Sequence, residues 1–77
     1  MNVFDKVKEY ILMQLPLSED KVTADARLIE DLGADSANLM MLIMDLESEY
    51  DMTVEDEALT TIKTVGDIVT YLEARKG

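Results

Sequence analysis

The stretch Asp31-Leu32-Gly33-Ala34-Asp35-Ser36, followed at once by Ala37-Asn38-Leu39-Met40-Met41-Leu42-Ile43-Met44-Asp45-Leu46-Glu47-Ser48-Glu49-Tyr50, decides how this chain is read. Gly33 punctuates the chain before a new start. Asp35 and Ser36 are both good N-caps, so a helix is predicted from one of them to about Tyr50. At about 100° per residue, Leu39, Leu42, Ile43, Leu46 and Tyr50 fall within one sector of about 100°, the face predicted to be buried. Ala37, Met40, Met41 and Met44 lie outside it on a second apolar stripe. Met40 and Met44 are expected to bury most of their area against a short third helix, whereas Met41 projects away from the core face.

Working upstream, Val3, Val7, Ile11 and Leu15 recur every four residues with Phe4 beside them, the stripe of a first helix. Asn2 is its predicted N-cap and Pro16 its terminator. Leu17 to Arg27 is a long polar connection with the turn-formers Ser18, Asp20, Thr23 and Asp25 and one short helical turn; Leu28, Ile29 and Leu32 are its expected anchors. Downstream, a short helix is predicted around Glu55 to Thr61, with Val54, Leu59 and Ile62 pointing inward. Thr64 then caps a last helix whose core face is Val65, Ile68, Val69 and Leu72. The predicted fold class is all-α: a small four-helix bundle of three longer helices and one short one, with a long loop after the first.

Composition narrows the function classes. The chain has 77 residues, 48% of them apolar and 31% charged, enough for one small globular core and too few for a separate catalytic domain. It has no cysteine and no histidine, which removes disulfides, conventional zinc sites, cysteine nucleophiles and histidine acid/base chemistry. Any thiol chemistry needs a borrowed thiol. The longest apolar run, Leu39 to Met44, is far below the roughly 20 residues of a membrane span, and no signal peptide precedes it; a cytoplasmic protein is expected.

The net charge of −10 is concentrated in the middle of the chain. Between Leu28 and Ile62 there is no Lys or Arg, while Glu30, Asp31, Asp35, Asp45, Glu47, Glu49, Asp51, Glu55, Asp56 and Glu57 supply ten acids; the remainder balances at seven acids and seven bases. Such a field repels phosphate backbones and draws in basic protein surfaces. Nucleic acid is therefore not an expected partner. The acids from Asp45 to Glu57 lack the Asp-x-Asp-x-Asp-Gly spacing of an EF-hand, so no dedicated metal site is expected.

In order and spacing, Glu30-Asp31-Leu32-Gly33-Ala34-Asp35-Ser36 before an acidic helix, and Ile62-Lys63-Thr64-Val65-Gly66-Asp67 before the last one, the chain resembles the acyl carrier protein family, without gaps and as one domain over residues 1–77. The resemblance implies a carrier rather than an enzyme, with a covalent 4′-phosphopantetheine arm, donated by coenzyme A, on Ser36. It also implies the partners: a phosphopantetheinyl transferase (holo-carrier synthase), and acyl-transfer and chain-elongation enzymes of fatty-acid or related biosynthesis with basic docking surfaces. The carrier is expected to be a monomer. On this reading Asp35, Ala37, Met40, Met41, Met44 and Glu47 form the docking surface, and Ile43, Leu46, Val54, Leu59, Ile62 and Leu72 line a pocket for the acyl chain.

This chain also departs from the family pattern. Ala37 stands where leucine is usual, and Asn38 and Met41 stand in a turn that is usually more acidic, which weakens the expected docking to a generic fatty-acid synthesis enzyme. The departures leave open a specialised carrier of a polyketide, peptide or lipopolysaccharide pathway. From another class stands an unmodified acidic adaptor that binds a basic protein, and a nucleic-acid mimic has only the charge in its favour.

Overall fold

The computed structural model describes residues 2–76. Helix α1, Val3–Gln14, starts where the sequence places it: the Asn2 side chain accepts the Asp5 N–H at 2.8 Å. Leu15 leaves the helix in an extended conformation, as a residue preceding proline must. Val3, Val7 and Ile11 are buried along its inner face.

The connection that follows holds one 3₁₀ turn, Glu19–Lys21, and pins Val22, Ala26, Leu28 and Leu32 into the core. Ile29, expected as an anchor, is instead 59% exposed. The Asp31 N–H and the Gly33 N–H bond back to the carbonyls of Arg27 and Ile29, so this segment winds with a four-residue repeat. Leu28 and Leu32 then share the inner face, and Ile29 turns outward. Gly33 closes the segment at φ +76°, a conformation that side chains resist.

Main-chain bonds fasten this loop to the start of the last helix. The Leu28 N–H donates to the Lys63 carbonyl (2.9 Å), the Val65 N–H to the Ala26 carbonyl (3.0 Å) and the Gly66 N–H to the Ala24 carbonyl (2.9 Å). A Cβ at position 66 would sit 2.9 Å from the Ala24 oxygen, so the close approach requires glycine.

Helix α2 is Ser36–Tyr50, α3 is Asp56–Leu59 and α4 is Val65–Lys76. Thr64 caps α4 as expected: its Oγ1 accepts the Asp67 N–H, while the Asp67 carboxylate accepts the Lys63 and Thr64 N–H groups at 2.9 and 3.1 Å. Those two backbone donors hold the Asp67 carboxyl below its ordinary value. Helix α1 packs against both α4 and α2, and Val7, Ile11, Val22, Leu46, Val65, Ile68 and Leu72 are the most enclosed side chains.

The all-α architecture of three longer helices and one short one is as predicted. Helix α3 is shorter than expected, because the hydroxyls of Thr60 and Thr61 bond back to the Glu57 and Ala58 carbonyls and the last turn tightens. That shortness corrects the reading of two methionines. A four-residue helix with no buried residue cannot cover α2, and Met40 and Met44 stand 46% and 60% exposed beside Met41 at 56%.

Candidate functional site

Two residues competed for the cap of α2, and the structure separates their roles. Asp35, in extended conformation, is the N-cap; its side chain accepts the Asn38 N–H at 2.8 Å, and the Asn38 side chain in return accepts the Asp35 N–H at 3.2 Å. Ser36 is the first residue of the helix and is exposed. Among the described residues no hydrogen bond engages its hydroxyl. The box satisfies the amides of Asp35 and Asn38 and leaves those of Ser36 and Ala37 at the positive end of a fifteen-residue helix. An anionic ester on Ser36 Oγ fits there.

The chain around Ser36 is firmly placed. The Ala34 N–H donates to the Leu28 carbonyl at 3.0 Å, and Ala34 and Leu32 are buried, so the residues before the serine are tied to the core. Just upstream, Arg27 pairs with Glu30 (2.6 Å) and Asp31 (3.4 Å). The Arg27 backbone N–H, and then its guanidinium, hold the Asp31 carboxyl below its ordinary value. This base neutralises part of the acidity next to the serine.

Along α2 the proposed docking residues divide. Asp35, Ala37, Met40, Met41 and Met44 are all exposed, and the last four follow an i, i+3, i+4, i+7 pattern that makes one apolar stripe facing solvent. Glu47 is half-buried, and its carboxylate accepts the Val54 N–H at 2.7 Å, holding the link between α2 and α3. Sequence reasoning missed that bond, since no local pattern joins residues seven apart across a turn. On the opposite flank the Tyr10 hydroxyl donates to Glu49 at 2.7 Å and Lys6 lies 3.8 Å from the same carboxylate, clamping α1 to α2. The Glu49 bond pushes the Tyr10 hydroxyl up to about 12.

The six residues expected to line an acyl pocket also divide. Ile43, Leu46, Val54, Ile62 and Leu72 are buried in the core, and Leu59 is half-buried. Leu59 and Ile62 border a surface groove of about 310 Å³, together with Leu28, Ile29 and Leu39. Leu39 lies three residues after Ser36, on an adjoining ridge of the same helix.

Comparison with known proteins bears on this site directly. The family model described as "Phosphopantetheine attachment site" matches residues 5–72. The acyl carrier protein of Thermotoga maritima is 51% identical over 75 residues, spanning 97% of this chain and 93% of that one. This chain belongs to the acyl carrier protein family. The acyl carrier protein of Clostridium perfringens is 47% identical over 70 residues, 91% of this chain and 92% of its own. Among solved structures, the acyl carrier protein of Enterococcus faecalis superimposes with a TM-score of 0.80 at 32% identity, covering 96% of this chain and 98% of that one. A Mycobacterium tuberculosis chain proposed to be an acyl carrier protein gives 0.85 at 33% identity, covering 94% and 96%.

Members of this family hold acyl groups as thioesters on a 4′-phosphopantetheine arm, and that arm is the prosthetic group of this carrier. It supplies the thiol that a chain without cysteine lacks. Among the described residues, no helix is long and apolar enough to cross a membrane.

Proposed function

We propose that Ser36 bears the arm and that this carrier presents acyl thioesters to cytoplasmic enzymes without catalysing their chemistry. The observation that carries the assignment is the division of labour at the start of α2: Asp35 is bound into the cap, while the Ser36 hydroxyl is exposed and unengaged. Of the other serines, Ser18 precedes only a three-residue 3₁₀ turn, and Ser48 lies in the last turn of α2. In the attachment step Ser36 Oγ forms a bond to the phosphorus of coenzyme A that carries pantetheine, the P–O bond from that phosphorus to the bridging oxygen breaks, and the nucleotide leaves with that oxygen. The Asp35 carboxylate is held by the Asn38 N–H, so the hydroxyl proton passes to a base of the transferase, which also supplies the divalent cation.

The transferase and the acyl-transfer and chain-elongation enzymes are the partners. The ten acids between residues 28 and 62 favour basic surfaces on them, and a monomer suffices for this role. The exposed stripe of Ala37, Met40, Met41 and Met44 favours a second reading within the family, a specialised carrier whose partners meet soft, adaptable apolar side chains.

Intact-protein mass after incubation with a phosphopantetheinyl transferase and coenzyme A tests the attachment. Native protein gains the arm and Ser36→Ala does not; a native chain that stays unmodified returns the reading to the acidic adaptor. For the partner surface, Met41→Glu adds an acid without touching the capping box. Faster loading by a standard fatty-acid synthesis acyltransferase at low salt only is expected, and equal rates at both salt levels refute the specialised reading.

A further inference from the structure

The groove bordered by Leu28, Ile29, Leu39, Leu59 and Ile62 is not wholly apolar: Arg27 and Glu30, which pair with each other at 2.6 Å, and Lys63 line it as well. Lys63 stands apart from most of the chain's bases. Lys6, Lys8, Arg27 and Arg75 each pair with a carboxylate, and Arg27, also at this groove, is held by two. Among the described residues Lys63 makes no ion pair, although the chain has seventeen acids and Lys63 is the first base after Arg27. Its backbone N–H is bound to Asp67, which fixes where its four-carbon stem begins, and the stem can lie along apolar surface while the ammonium reaches the rim. The result is a mostly apolar trough whose one acid, Glu30, is held by Arg27, while among the described residues the Lys63 ammonium at its edge has no ionic partner, in a protein whose general field repels anions.

We propose that Lys63 makes this carrier selective for acyl chains that end in a carboxylate, with the methylenes in the trough and the terminal carboxylate at the Lys63 ammonium. This rests on the reading of Ser36 as the bearer of the arm. A methyl-ended chain would fill the trough equally well and leave the ammonium to water. An exposed ion pair is worth enough to change the occupancy of the trough about two- to fivefold, and the gain is screened by salt.

The test uses holo protein loaded with hexanoyl or adipoyl groups, in the native chain and in Lys63→Gln and Lys63→Arg. Hydroxylamine cleavage of the thioester reads how far the chain is sheltered. In low salt the adipoyl thioester of Lys63→Gln is expected to be cleaved about two- to fivefold faster than that of the native chain, Lys63→Arg to behave as native, and the hexanoyl thioesters to be indifferent to position 63. Equal adipoyl rates in native and Lys63→Gln protein overturn the proposal, as does an equal change in the hexanoyl rates. Intact mass before the assay separates this failure from that of the underlying reading: a chain that never gains the arm fails at Ser36, whereas a loaded chain with unchanged rates fails at Lys63.

Discussion

Asp35 caps α2 and its neighbour Ser36 is the proposed bearer of the arm, so substitutions at the two positions should separate stability from modification. Asp35→Ala removes the acceptor of the Asn38 N–H and half of the reciprocal box. Loss of an Asp N-cap costs about 0.5–2 kcal/mol, part of which is the interaction of its charge with the helix dipole. For a chain of this size about 1 kcal/mol lowers the thermal midpoint by roughly 4–8 °C. Asp35→Asn keeps an equivalent cap and loses only the charge; in a protein of net charge −10 the relief of repulsion opposes the lost dipole interaction, and the change should stay within about 0.5 kcal/mol. Ser36→Ala deletes a hydroxyl that forms no hydrogen bond among the described residues and inserts a better helix former, again within about 0.5 kcal/mol. Thermal and urea melts followed by far-ultraviolet circular dichroism measure all three, and intact mass after the transferase reaction measures modification. The expected pattern is a melt lowered only by Asp35→Ala and modification abolished only by Ser36→Ala. If Ser36→Ala melts as low as Asp35→Ala, or Asp35→Ala as high as native, the hydroxyl is the cap and the division of labour is wrong.

Three other outcomes follow from the structure. Gly66→Ala, which would ordinarily stabilise a helix by about 0.5–1 kcal/mol, should instead destabilise by about 1 kcal/mol, because the new Cβ meets the Ala24 oxygen that the Gly66 N–H is bonded to; a urea midpoint at or above native contradicts this. Raising ionic strength or adding millimolar magnesium should raise the thermal midpoint of the unmodified protein by screening the ten central acids, and a flat or falling midpoint would show that their repulsion is not limiting. Asp67 is held below its ordinary value of 3.8, so its contribution is complete above about that pH and is lost as pH falls through the folded value. The stability difference between native and Asp67→Ala should therefore be constant near neutrality and shrink below pH 3.8 in urea titrations, and a difference that persists in acid would refute it.

The helices were legible because each has its own stripe and its own punctuation. Asn2, Pro16 and Thr64 act within a turn of themselves, and Val3, Val7 and Ile11, like Leu42, Ile43 and Leu46, are buried as their spacing requires. Features that depend on a distant part of the chain were not legible. The exposure of Met40 and Met44 turns on how far α3 extends, which two threonine hydroxyls decide from the far end. The bond from Val54 to Glu47 and the approach of Gly66 to Ala24 are tertiary, and nothing local announces them. At the site itself, Asp35 and Ser36 were equal candidates for the cap on propensity alone. The resemblance pointed to Ser36 as the functional serine, and the fold supplies the physical reason why its hydroxyl is spare.

The bonds from residues 24–28 to residues 63–66 have a consequence for how the molecule yields. They bind the first loop to the root of α4, and α1 packs on α4 in turn, so these parts form a frame that can only come apart together. Helix α3 is outside that frame: four residues, none buried, suspended between two turns. Amide hydrogens of Asp56–Leu59 should accordingly exchange with solvent through small local openings, while those of α1 and the inner turns of α4 wait for global unfolding. Leu59 belongs to this soft segment and also to one wall of the groove, so a guest there can be admitted by displacing the least costly part of the protein, with the frame that positions Ser36 left undisturbed.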